Sequence, residues 1–241
     1  MPSPICDVKT SLVNDLWLPL AKKGGDQLFP LRRKHKKMKL FTLTDMNYQE
    51  VKAFEDNKLT KREDLVAWNH SHQQAYRLET ELGRSKVICE GRFDDAIIIE
   101  SQVISDDLPC DILNLDYFSQ IPINSDGRIE REINAENVLV SLLSNLQIKG
   151  FVLLYTTLLD QVNLSLAILS FPLISPPNLP NPICNIDDKV EFIRFTINSI
   201  LRNNNYLVTE SNRMLLDLDN STDKVFSIGF VSLREQLNAD L

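Results

Sequence analysis

Short runs of apolar residues alternate with longer segments of helical periodicity from residue 39 onward. The short runs are rich in β-branched and aromatic side chains, which is typical of strands. The most apolar run has the composition of a strand that is buried on both faces of a parallel sheet. Five strands are predicted in this part of the chain, at 39–44, 64–69, 86–90, 111–116 and 151–157.

The segments between these strands have the spacing and the capping residues of helices. Asp45 is placed to cap a helix that runs to about Asn57, with apolar residues along one face. Ser71 and Gly83 bracket the next predicted helix as its N-cap and its C-cap. Two more helices are predicted at 135–146 and 187–202, and the ambiguous segment 96–104 favours a helix over a strand.

An antiparallel hairpin is predicted near the C-terminus. Two strand-like runs, 213–217 and 224–233, flank residues 219–223, whose sequence Asp-Asn-Ser-Thr-Asp is typical of a turn. Alternating β and α elements before it favour a parallel sheet with right-handed crossovers. We therefore predict an α/β fold, with a single doubly wound, mostly parallel sheet of seven strands that ends in an antiparallel β-hairpin.

This order of five β-α units closed by a hairpin resembles the class I S-adenosylmethionine-dependent methyltransferases, a Rossmann-like family. The resemblance spans roughly residues 39–233 and implies a cofactor site at the carboxyl ends of the parallel strands, where ligands bind in open α/β sheets. It divides the chain into an N-terminal extension, 1–38, and a methyltransferase-like domain, 39–241. A proline-rich insertion loop at 171–182 is either a substrate or partner contact or a plain surface connection.

By this resemblance, residues that bind S-adenosylmethionine follow the first three strands. The family has a glycine-rich turn after the first strand, whereas residues 42–47 contain no glycine and cannot approach a ligand as closely. Asn69 occupies the position of the family's ribose-binding carboxylate, and Phe93 and Asp94 occupy that of its adenine contacts. Capping and turn formation are the alternative roles for Asn69 and Asp94. The candidate cofactor residues are Thr44, Asp45, Asn69, Phe93 and Asp94.

The segment after the fourth strand is similar to a catalytic turn. The tRNA guanosine N2-methyltransferases carry Leu-Asp-Pro-Phe-Gly there, and this chain matches the Leu-Asp pair and the aromatic residue. The resemblance implies that Asp116, together with Asn114, orients a target amine. It also implies that Tyr117 and Phe118 stack on the ring that carries the amine. Tyr117 replaces the family's proline and a serine replaces its glycine, so a plain turn is the alternative.

Charge narrows the range of partners. The chain is 43% hydrophobic and 24% charged, and its net charge of −7 argues against a surface that is complementary to nucleic acid throughout. One dense basic run interrupts this acidic background and predicts contact with nucleic acid or an acidic partner, a solvated surface being the alternative. The basic run comprises Arg32, Arg33, Lys34, Lys36 and Lys37, with His35 among them.

Neither a metal site nor a membrane span is predicted. The four cysteines and three histidines are scattered without the spacing of metal ligands. The sequence has no secretory signal and no run of about 18 apolar residues, which a membrane span requires. We therefore expect a cytoplasmic protein.

Two functions follow from these patterns. The first is a divergent S-adenosylmethionine-dependent methyltransferase that acts on an amine of nucleic acid, which segment 114–118 favours. The second is a catalytically inactive methyltransferase-fold scaffold or binding subunit of a larger protein or protein–nucleic-acid complex. The glycine-free turn at 42–47 favours the second function.

Overall fold

The computed structural model describes residues 4–29, 37–44, 48–69, 71–83, 86–88, 110–116, 149–159, 185–218 and 224–234. Within these residues one sheet has seven strands in the order β3-β2-β1-β4-β5-β7-β6. The strands are β1 (Leu40–Leu43), β2 (Leu65–Trp68), β3 (Lys86–Ile88), β4 (Ile112–Asp116), β5 (Gly150–Leu158), β6 (Tyr206–Asp217) and β7 (Lys224–Arg234).

The directions of the strands match the predicted fold class. β1 to β5 are paired in parallel, whereas β7 runs antiparallel to β5 and β6 runs antiparallel to β7. The doubly wound, mostly parallel sheet with a C-terminal hairpin is therefore confirmed. Every residue of β5 is buried, as expected from its apolar composition.

Helices cover both faces of this sheet. Ser71 caps α4 by accepting a hydrogen bond from the Gln74 amide, and Gly83 ends that helix with a φ of 62°, as the sequence predicted. The helices of the described residues are α1 (Pro4–Leu12), α2 (Leu18–Leu28), α3 (Gln49–Asp56), α4 (His72–Leu82) and α5 (Ile186–Asn203). A π-helical turn, Val13–Trp17, joins α1 to α2.

The predicted boundaries differ from the observed ones in a few places. β6 begins at Tyr206 rather than at residue 213, because it pairs with β7 along nearly its whole length. α3 begins at Gln49, four residues after the predicted cap Asp45, which lies outside the described residues. Segments 96–104, 135–146, 171–182 and 219–223 lie outside them as well.

The N-terminal segment packs on the sheet. Residues 4–28, which belong to the predicted N-terminal extension 1–38, form a long helical segment there. Its apolar side chains recur at helical spacing and are buried in the same core as strand residues. These side chains include Leu12, Val13, Leu16, Trp17, Leu20 and Ala21. This segment is therefore part of the domain.

The sheet separates two apolar cores. One lies between the sheet and the N-terminal helices together with α3 and α4, and it contains strand residues such as Leu40 and Leu154. The other lies between the sheet and α5, and it contains residues of the opposite strand face, such as Phe41 and Tyr155. Successive strand residues thus contribute to different cores, and both faces of the sheet are covered.

Candidate functional site

The carboxyl ends of β1, β2 and β4 lie side by side at one end of the strands. Thr44 follows β1, Asn69 follows β2 and Asp116 is the last residue of β4. β1 lies between the other two strands, and its Thr42 is opposite Asn114 of β4. The structure therefore brings Thr44, Asn69 and Asp116 together at the carboxyl ends of these strands. Asn114 lies two residues before Asp116 on β4.

The Asn69 side chain forms hydrogen bonds with the residue after β1 and with the first residues of α4 and its cap. Its side-chain Nδ2 donates to the Thr44 carbonyl at 2.9 Å and to Gln74 Oε1 at 3.1 Å, and its Oδ1 accepts from the Ser71 amide at 2.9 Å. The residue is buried. Both N–H groups of the amide are thus used within the protein, and they tie the end of β1 to the start of α4.

Asp116 is paired with a lysine that the sequence analysis did not single out. The Lys9 Nζ lies 3.1 Å from Asp116 Oδ2 and 2.9 Å from Glu50 Oε2. All three side chains are at most 2% exposed. The first helix, the start of α3 and the end of β4 therefore meet in one buried charged cluster, which we call the Lys9 cluster. Removing charges from water is costly, so such a cluster requires close pairing.

Asn114 extends the Lys9 cluster along β4. Its Nδ2 donates to Thr42 Oγ1 at 3.1 Å, and that hydroxyl is 3.5 Å from Glu50 Oε1. The Asn114 Oδ1 atom is buried and has no hydrogen-bond partner in the described part of the chain. A buried acceptor without a partner is uncommon in folded proteins.

Lys9 could have been found from one signal in the sequence, whereas Glu50 could not. Lys9 lies three and four residues before Leu12 and Val13, so the helical period places a charge on an apolar stripe. A charged residue on a buried face requires a partner of opposite charge. The partners could not be identified, because Glu50 and Asp116 are 41 and 107 residues away in sequence.

Of the remaining predicted site residues, Lys37 alone lies within the described residues. Lys37, of the basic run, donates through its Nζ to the Lys58 backbone carbonyl and is half-buried. The others lie outside the described residues, so their roles stay predictions. They are Asp45, Phe93, Asp94, Tyr117, Phe118, Arg32, Arg33, Lys34 and Lys36.

The order and directions of the strands identify the fold. Strands β3-β2-β1-β4-β5 are parallel, the last strand in sequence is inserted antiparallel beside β5, and β6 forms the edge. The chain has the class I methyltransferase-like fold. The predicted resemblance is thereby confirmed at the level of the fold.

Comparison with solved structures gives distant similarities. An archaeal fibrillarin pre-rRNA processing protein from Methanococcus jannaschii is 12% identical, with a TM-score of 0.44, over 89% of this chain and 74% of that one. TYW2 of M. jannaschii in complex with AdoMet is 9% identical, with a TM-score of 0.45, over 91% and 78%. The magnesium protoporphyrin IX methyltransferase ChlM of Synechocystis PCC 6803, with bound SAH, is 10% identical, with a TM-score of 0.46, over 95% and 85%.

Sequence comparisons are negative. No protein-family model matches the chain, and no curated protein is significantly similar to it. At the identities and TM-scores above, the structural similarities carry no argument about activity or substrate. The assignment of the fold therefore rests on strand order and direction.

Two further features concern metal ions and membranes. In the described part of the chain, no group of three or more His, Cys, Asp and Glu side chains is arranged to hold a metal ion. No helix in the same residues is long and apolar enough to cross a membrane.

Proposed function

We propose that this chain serves as a binding or scaffolding subunit with a methyltransferase fold, and that it does not transfer methyl groups in the manner usual for that fold. One observation carries the proposal. The polar side chains at the ends of β2 and β4 are buried and bonded within the protein, Asn69 to Thr44 and Gln74, and Asp116 to Lys9.

Asn69 is a poor fit to the ribose of S-adenosylmethionine. The family usually offers a carboxylate there, which accepts hydrogen bonds from the ribose hydroxyls with the assistance of its charge. Asn69 has no charge, its Nδ2 donates two hydrogen bonds, and its Oδ1 accepts from Ser71. Binding the ribose through this oxygen would add a second acceptor bond to a buried amide, and freeing the amide would break three hydrogen bonds. The described residues at the end of β2 therefore offer the ribose neither a charged acceptor nor an unused amide N–H group.

Asp116 is a poor fit to a further ligand for a related reason. Its carboxylate and that of Glu50 converge on one ammonium group. Displacing Lys9 from this carboxylate would break a buried ion pair, which typically costs about 3–5 kcal/mol. The absence of glycine at 42–47 adds to this argument from the sequence.

Isothermal titration calorimetry of the full chain with S-adenosylmethionine and S-adenosylhomocysteine tests the proposal. We expect no binding tighter than a Kd of about 100 μM, which corresponds to roughly 5.5 kcal/mol. A low-micromolar Kd for either compound would contradict it.

Methyl transfer to an amine is the second candidate, and one contact favours it. Asp116 already forms an ion pair with a primary ammonium group, that of Lys9, and the family's catalytic acceptor likewise faces an amine. If this candidate is right, the chain should transfer radiolabelled methyl groups from S-adenosylmethionine to RNA or DNA. Asp116→Asn should abolish the transfer while far-ultraviolet circular dichroism stays unchanged.

For the binding role, we propose the basic run as the contact with nucleic acid or an acidic partner. Its net charge is opposite to that of the whole chain, which would direct such a partner to this one region. The partner, the contact of the proline-rich loop and a cytoplasmic location all remain proposals.

A further inference from the structure

The Lys9 cluster has the donors and acceptors of a site for a primary amine. Carboxylates from two elements, Glu50 of α3 and Asp116 of β4, lie 2.9 and 3.1 Å from the same Nζ atom. A primary ammonium group has three N–H donors and no acceptor, so it suits a site on which two carboxylates converge. The occupant in this structure is the side chain of the chain's own first helix.

A buried acceptor without a partner, Asn114 Oδ1, lies on the same strand as Asp116. Asn114 lies two residues before Asp116 on β4, so both side chains are on the same face of the strand. The Asn114 Oδ1 is fully buried and without a partner in the described residues. Thr42 connects the two groups, since it accepts from Asn114 and lies 3.5 Å from Glu50. Lys9 therefore leaves one acceptor on this face of β4 unused.

The contacts that attach α1 to the rest of the protein differ from those that attach α2. α2 and the π-helical turn are anchored by many apolar side chains and by the hydrogen bond from Trp17 Nε1 to Ser227 Oγ at 3.0 Å. In α1 the buried side chains at residues 7–12 are Val8, Lys9 and Leu12. The π-helical turn separates the two helices, and such turns often occur at functional positions. The insertion of Lys9 is therefore the main polar attachment described for α1.

We propose that the pocket formed by Glu50, Asn114 and Asp116 is a binding site for primary amines, and that α1 fills it with Lys9 as an internal ligand. This inference goes beyond the proposed function, because it concerns what the edge of the sheet binds rather than whether the chain has a partner. The class of ligand is an alkylammonium group, and the chain's own lysine excludes external ones.

Truncation of the lysine tests the site directly. In Lys9→Ala, the atoms removed beyond Cβ correspond to n-propylamine, so n-propylammonium chloride is the probe. We expect it to raise the thermal midpoint of Lys9→Ala saturably by about 2 °C or more, as ligands do that bind only the folded state. Tetramethylammonium chloride at equal concentration should not do so, because it has no N–H donor. The wild type should not respond to n-propylammonium, since its site is filled.

Matched variants separate this site from general salt effects. Lys22→Ala removes an exposed lysine of α2 that donates to Asn57 at 2.9 Å, and it should show no response to n-propylammonium. Lys9→Ala combined with Asp116→Asn should lose most of the response. An equal response of Lys9→Ala to both ammonium salts, or a response that survives Asp116→Asn, would overturn the proposal.

A measurement on the wild type covers the case in which Lys9→Ala does not fold. Reductive methylation with formaldehyde, followed by mass spectrometry, reports how often each lysine leaves its partners. We expect Lys9 to react at least about tenfold more slowly than Lys22, because it must first be released by a local opening. Asp116→Asn should remove much of this protection. Equal rates for Lys9 and Lys22 in the wild type would refute an internally filled site.

Discussion

At the scale of single residues, the polar groups beneath the N-terminal helices fall into two sets. Near β7, Trp17 donates to Ser227, and that hydroxyl shares a hydrogen bond of 2.8 Å with Thr156. Near β4 the Lys9 cluster includes an acceptor, Asn114 Oδ1, without a described partner. Satisfied networks hold elements in place, whereas a buried acceptor without a partner is uncommon.

Cys110 gives a prediction at the same scale. Burial, and after it the charge of the neighbouring Asp111, raises the pKa of its thiol from 9.0 to about 12. The native thiol should therefore resist alkylation by iodoacetamide at pH 8, because the thiolate is the reactive form. Mass spectrometry should detect its alkylation only after unfolding in guanidinium chloride. Alkylation of Cys110 at the same rate in both states would contradict the prediction.

The sign of the pH dependence follows from the same shift. The unfolded chain loses this proton near pH 9, whereas the folded chain keeps it up to about pH 12. The contribution of Cys110 to stability is thus fully present below pH 9 and is lost as the pH rises from 9 toward 12. Cys110→Ala should flatten that part of the curve of stability against pH.

At the scale of elements, the close approach of α2 to the sheet depends on a missing side chain. Gly24 lies against Val152 of β5, and a Cβ atom added at this position would overlap the Val152 side chain. Gly25, the next residue, faces Met38, and a Cβ atom there would be in ordinary contact at 3.5 Å. Two adjacent glycines of one helix therefore have different roles.

We expect Gly24→Ala to lower the free energy of unfolding by about 1–3 kcal/mol, the usual cost of overpacking a core. The matched variant Gly25→Ala should be neutral or raise it by up to about 1 kcal/mol, because alanine favours the helix. Urea denaturation followed by circular dichroism measures both. Equal effects of the two substitutions would show that α2 does not pack on β5 as described.

At the scale of the whole molecule, the N-terminal helices complete the fold. One face of the sheet is covered largely by residues 8–21, including Leu12, Leu16, Trp17 and Leu20. The chain without them would expose strand residues such as Leu154 and Val231 to water. An apolar face of this size is not stable in solution.

Deletion of residues 1–38 tests whether the segment 39–241 is a domain by itself. We expect the truncated chain to be insoluble, or to lose cooperative unfolding and bind the dye ANS, because a large part of one core is removed. Thermal denaturation and ANS fluorescence measure this. A truncated chain with a cooperative transition like that of the full chain would restore the boundary at residue 38 that the sequence suggested.

The sequence by itself determined the sheet and its direction. Alternating apolar runs and amphipathic segments identified β1 to β5, Ser71 and Gly83 marked both ends of α4, and two runs near the C-terminus indicated the antiparallel hairpin. These features depend on local periodicity and capping, which each segment carries in its own residues. The sequence also placed Asn69 and Asp116 at strand ends, because a strand's last residue is fixed by its own pattern.

Only the tertiary structure decided what these residues contact. Lys9 reaches Asp116 across 107 positions of the chain, and nothing in the local pattern of either residue specifies the other. The same holds for Trp17 and Ser227, which are 210 positions apart. Burial requires that each charge and polar group find a partner, but the partner is selected by how helices and strands pack. For that reason the sequence predicted a catalytic role or a plain turn for Asp116, whereas in the folded chain its carboxylate pairs with Lys9.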